Sequence, residues 1–294
     1  MGGSVNAEVE GRTAAIGFRE EHRLGVQPLG DLVAVIEQAT GVDVAVLDVE
    51  ADEHGLTMRD PQRGAVFIGV ARTAHPMRQR SSLAHELGHV VFGDWADNDS
   101  GSWSKRSPEE IRADAFARHL LVPIQGLREF LGPKRSVSWA DLSAVVQWFV
   151  VSPALAAIAL CEAGYIDVET KRDWSALSTR HLATRFGWID QYRALAADSN
   201  RRRAPQRLLA RAIRGYTEGV LSAQAIATLR GVPLAEVEKE LQEAGLVAAE
   251  PTVTWASPDD LPPPQVDLAA LDAALAEPDD RHERNQPQAA EPAE

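Results

Sequence analysis

Apolar and polar positions recur along this chain with two different periods, and each change of period marks an element. Residues 12–24 and 28–40 carry apolar side chains every three or four positions, which predicts two helices, with Gly41 placed as the stop of the second. "VDVAVLDV", "LTMRD" and "AVFIGV" then read as three short strands, divided by the turn-rich "EADEHG" and "PQRG". From Ser82 the period is helical again, with Leu83, Leu87, Val90 and Val91 on one side. A polar stretch, "GDWADNDSGSWSKRSP", leads into a further helix, "SPEEIRADAFARHLLVP", which Pro123 stops.

Beyond it, residues 138–164 form a helix pair, "SWADLSAVVQWFVV" and "SPALAAIALCEAG". A similar pair returns at 222–245, again with proline opening the second helix and "EAG" closing it. This reads as one helix-turn-helix unit used twice. The expected organisation is a flexible leader over 1–11, a main domain over 12–170, a helical connector over 171–203, a helix-turn-helix-like helical module over 204–249, and a disordered acidic, proline-rich tail over 250–294.

Composition narrows the class. At 294 residues and 45% hydrophobic, the chain can bury one full-sized core and a second small one. Cys161 is the only cysteine, which excludes an internal disulfide and fits a reducing compartment. The opening "MGGSVNAEVEGRTAAIGF" has no basic n-region and no apolar h-region, so no secretory signal is read there. The apolar run 144–161 is interrupted by Ser152 and Pro153, an N-cap and a first helical position, which predicts two short buried helices in place of a membrane span. A cytoplasmic protein without membrane contact is expected. Of the net charge of −13, residues 250–294 hold eleven acids against two arginines, so the rest is close to balanced and gives no argument for nucleic-acid binding.

The chemistry concentrates in "SSLAHELGHVVFGDW". His85 and His89 lie four apart, so a helix aims both imidazoles at one point, where a zinc ion accepts nitrogen ligands and needs a third from the protein. Glu86, next to the first histidine, cannot easily bind the same ion; it can take a proton from water there and pass it to a leaving amine. An H-x-x-G-x-x-H continuation is excluded, because Phe92 and Trp95 occupy its positions. In the next helix Glu109, Glu110 and Asp114 are the candidate third ligands. Glu110, 21 residues past His89, also fits a capping box opened by Ser107, and Asp114, one turn on, suits a hydrogen bond to a ligand histidine.

"RSSLAHELGHVVF" followed by "EIRADAFARHLLVP" resembles the ImmA/IrrE family of metallopeptidases, over about residues 12–168. Arg80, Ala84, His85, Glu86 and His89, then Glu110, Ala113, Asp114, Phe116, Ala117, Leu120, Leu121 and Pro123 stand at its motif positions. The resemblance implies a zincin-like α+β fold with a small antiparallel sheet, metal ligands His85, His89 and Glu110, and zinc or another divalent ion such as manganese as cofactor. It further implies limited cleavage of a protein partner, a transcriptional repressor of the helix-turn-helix kind, in stress response or mobile-element control. His75 and Arg80 are candidate substrate contacts, with a loop histidine and a structural arginine as the plainer alternative. His22, His54, His181 and His282 are expected in solvent, and His119 turned away from the metal.

"RRRAPQRLLARAIR" offers six arginines for phosphate contact, but the presumed recognition helix carries Glu236, Glu238, Glu240 and Glu243 against one lysine. A scaffold or partner-contact role is therefore expected instead of direct DNA binding. The alternative to a peptidase is a non-enzymatic regulator that holds a repressor or DNA around a structural metal.

Overall fold

The computed structural model describes residues 2–49, 55–95, 107–133, 136–249, 267–270 and 272. Helix α1 (Gly2–Glu21) leads to α2 (Leu32–Thr40), then to strands β1 (Asp43–Leu47), β2 (Leu56–Arg59) and β3 (Val66–Ala71). Helices α3 (Pro76–Phe92), α4 (Pro108–Leu121), α5 (Ile124–Leu131), α6 (Trp139–Phe149) and α7 (Pro153–Glu162) follow. The remainder comprises α8 (Val168–Ser175), α9 (Thr179–Arg185), α10 (Ile189–Ser199), α11 (Gln206–Thr217), α12 (Ala223–Arg230) and α13 (Leu234–Glu243).

The architecture is α+β, and the expected all-antiparallel sheet is corrected. Strand order is β1-β3-β2, with β3 parallel to β1 and antiparallel to β2. The β2–β3 turn closes through Asp60, whose carboxylate accepts from the Gln62 and Arg63 amides, and through Gly64 at φ 66°. That hairpin carries β3 back between its neighbours, so the strand that precedes α3 is central and β2 lies at an edge.

Of the leader expected over 1–11, residues 2–11 are part of α1. Ala7, Gly11, Ala15 and Phe18 recur at helical spacing and bury one stripe against α4. At Gly11 a Cβ would lie 2.3 Å from the Arg112 carbonyl oxygen, so the bare backbone is what lets the two helices touch. Arg19, also buried, donates to the carbonyls of Leu120, Gly25 and Gln27 and fixes the other end of the contact. Burial lowers its pKa to about 10, since the charge gives up water for carbonyl dipoles.

Helix α3 begins at Pro76, a turn and a half before the expected Ser82, and ends at Gly93 in the left-handed conformation. Ser152 caps α7 by accepting from the Leu155 amide, with Pro153 in the first turn; α6 and α7 meet at 108°. Among the described residues no single helix is long and apolar enough to cross a membrane.

The connector expected over 171–203 is not a separate segment. Trp174, Leu182, Ala183 and Trp188 join the core that Ile68, Leu83, Leu87 and Phe116 build, so no boundary falls at residue 170. Helices α11–α13 enclose a satellite core of Ala212, Ile226, Ala227, Val237 and Leu241. They are tied to the main body by a bridge between Val46 and Arg203 and by the Gln206 amide donating to Glu37. The tail expected to be disordered over 250–294, like His54 and His282, lies outside the described residues, apart from 267–270 and 272.

Candidate metal centre

Three ring and carboxylate groups meet where α3 crosses α4. The crossing is close because Gly88 faces Ala113: a Cβ at residue 88 would sit 3.1 Å from the Ala113 Cα and 3.3 Å from Phe116. Four residues apart on α3, His85 and His89 bring their Nε2 atoms to 3.0 Å of one another. Glu110, in the first turn of α4, places Oε2 3.3 Å from His85 Nε2 and Oε1 3.5 Å from His89 Nε2. Two nitrogens bound to a tetrahedral zinc ion at about 2.0–2.1 Å lie about 3.3 Å apart, so these spacings fit one shared cation.

The electrostatics agree with the spacing. Burial opposes a charged His85 ring, yet the hydrogen bonds it donates to Asp114 and Glu110 and the charges of Asp114 and Glu86 outweigh it, pushing its pKa up to about 10. Glu110 is held below the usual carboxylate range, first by the hydrogen bond to His85. Acidic groups that draw a proton into a cluster of this kind offer the same attraction to a metal cation.

His85 Nδ1 lies 2.9 Å from Asp114 Oδ1, a contact that places the proton on Nδ1 and turns the Nε2 lone pair toward the centre. Asp94 does a related job for His89. The left-handed Gly93 returns the chain so that the Asp94 amide donates to the His89 carbonyl, and its Oδ2 comes 3.7 Å from His89 Nδ1. Arg112 grips the same carboxylate through two nitrogens and holds it there. Asp94 escapes a sequence reading because its role depends on a turn, not on helical spacing.

Glu86 is separate from the three. Its carboxylate lies against β2, where Thr57 Oγ1 donates to Oε2 at 2.7 Å. A Cβ at Gly55 would fall 2.7 Å from Oε1, so glycine leaves the carboxylate its place. Glu86, the three grouped side chains and β2 line one cavity of about 620 Å³. Nothing in the spacing around H-E-x-x-H points to Thr57 of β2 or to Gly55 just before that strand, about thirty residues upstream.

Ser107 caps α4 by accepting from the Glu110 amide at 3.3 Å, while the Glu110 side chain faces the histidines. Capping and ligation use different atoms, so the two readings of this residue are compatible. Arg80, a candidate substrate contact, does not line this cavity: its guanidinium donates to the carbonyls of Gly30 and Leu29. His75 is likewise placed elsewhere, at the N-cap of α3, about 15 Å along the axis from His85. His119 points away from the centre, as expected, and is buried beside Glu8 and Glu162.

Two imidazoles one helical turn apart, an acid from a second helix, and a further carboxylate free of the cluster define the class of metal-dependent peptidases. Residues 37–160 match the family model described as the IrrE N-terminal-like domain, a peptidase family. No curated protein matches the chain.

Proposed function

We propose that this protein is a zinc-type metalloendopeptidase that makes a restricted cut in a regulatory protein, a helix-turn-helix repressor being the expected class. The observation that carries the reading is the convergence of His85, His89 and Glu110 within hydrogen-bonding range of one another, with Glu86 beside them but outside the group. His85, His89 and Glu110 would hold the ion. When bound, it supplies Lewis acidity, polarising a scissile carbonyl and acidifying water.

The chain's own residues supply the rest. Glu86, steadied by Thr57, accepts the proton that attacking water gives up and delivers it to the leaving amine nitrogen. Asp114 keeps the His85 ring in one tautomer. β2, paired only with β3 among the described residues, offers an edge along which an extended peptide can lie across the cavity. The central β3, the strand that precedes α3, is paired on both sides.

The test is Glu86→Gln in the full chain, incubated with a repressor encoded beside it. Metal content should be unchanged and cleavage should fall by about a hundredfold or more. Regulation that persists undiminished in that variant would favour the non-enzymatic regulator with a structural metal.

A further inference from the structure

A second cavity, of about 870 Å³, lies on the other side of α3. Here the first half of that helix, the start of α2 and β1 meet residues 195–206 and the turn between α12 and α13. Its walls carry Arg72, Arg80, Arg201, Arg202, Arg203 and Arg230 against only Asp31, Asp48 and Asp198. Three of the arginines are matched: Arg72 by Asp48 and Arg203 by Asp31, each at 2.6 Å, and Arg230 by Glu240. Arg80, Arg201 and Arg202 have no carboxylate within ion-pair distance among the described residues, and neither does Asp198 with any cation.

The surplus is built in. Arg80 is fixed to two backbone carbonyls, which orient its charge without neutralising it, and burial lowers its pKa to about 10 against the longer-range pull of Asp31. Arg202 packs onto Gly231, the left-handed C-cap of α12 at φ 69°: a Cβ there would fall 2.8 Å from two Arg202 side-chain atoms. Leu83, Leu195 and Val232 add apolar surface to the same space. Guanidinium groups gathered in a partly enclosed volume repel one another, and a polyanion relieves that repulsion while accepting forked hydrogen bonds. A single carboxylate would neutralise one charge; a phosphate chain carries several on adjacent groups. The volume suits a nucleotide.

We propose that this cavity binds a phosphate-bearing small molecule of nucleotide size, held between the main domain and the helical module by Arg201 and Arg202 above the fixed Arg80. The site has a direct route to the metal centre. Pro76, Gln79 and Leu83 of α3 line this cavity, while His85, Glu86 and His89 of the same helix line the other. A ligand that pulls residues 201–202 toward α3 therefore bears on the helix that carries the candidate metal ligands.

Calorimetric titration of the full chain with inorganic tripolyphosphate and with ATP tests the site, beside Arg201→Ser/Arg202→Ser and Asp198→Asn. The metal centre is unaltered in both variants, so heat from metal chelation is common to all three proteins. The wild-type chain should bind the probes saturably, the double variant about tenfold or more weakly, and Asp198→Asn several-fold more tightly. Tighter binding cannot arise from misfolding, which protects the test if the double variant is unstable. Absence of saturable binding by the wild-type chain, or affinities unchanged in both variants, would overturn the proposal.

Discussion

Glu86 and Glu110 are the same residue type within one cavity, and position alone separates their roles. Glu110 enters from α4 and reaches both Nε2 atoms, whereas Glu86 is drawn toward β2 by Thr57. Thr57→Val should leave metal content intact and lower the rate of cleavage by about tenfold, with Thr57→Ser restoring most of it; steady-state kinetics beside metal analysis checks both. Asp114→Asn removes the charge behind His85 and should weaken metal binding by about ten- to hundredfold, read by competition with a chelating dye. At this scale the sequence is legible wherever placement follows helical spacing, as for His85, Glu86, His89 and the Glu110–Asp114 pair. Thr57, Gly55 and Asp94 act through contacts made only when a strand and a turn fold back onto α3, and no local pattern marks them.

Among elements, the α3–α4 crossing sets the geometry, and two glycines set the crossing. Gly88→Val would force α3 off Ala113 and Phe116, so metal affinity should fall more than fold stability does. Gly11→Val would instead push α1 from the Arg112 carbonyl, costing about 1–3 kcal/mol of stability by thermal or urea melting. Small residues give α1 almost no hydrophobic pattern, which is why its first turns read as a loose leader. The mixed sheet was illegible for another reason: alternation reveals a strand but not the direction of its neighbour.

The cluster joining α1, α4 and α7 makes a pH prediction. Arg118 takes both Glu8 and Glu162, leaving His119 to burial and to the charges of Arg118 and Arg12, which lower its pKa to about 4 from 6.5. Below pH 6.5 the unfolded chain binds a proton that the folded chain refuses. The stabilisation from this group is thus complete above 6.5 and is lost as pH falls toward 4. Urea midpoints should drop across that interval, and His119→Gln should flatten the drop.

Over the whole molecule, the match to the IrrE N-terminal-like domain ends at residue 160, yet the core runs on through Trp174, Leu182 and Trp188. Aromatic residues spaced along short helices look like a connector in sequence, because the partners that bury them lie far away along the chain. The helices beyond residue 205 are joined to the main body by Gln206–Glu37 and Arg203–Asp31, contacts between residues more than 160 positions apart. The central claim nevertheless rests on three side chains. Metal analysis by mass spectrometry of the purified full chain, beside Glu110→Ala, addresses it most directly. About one divalent ion per chain in the wild type and almost none in the variant is the predicted result. Full retention of the ion by Glu110→Ala, or a wild-type chain that binds no divalent ion when one is supplied, would contradict the account.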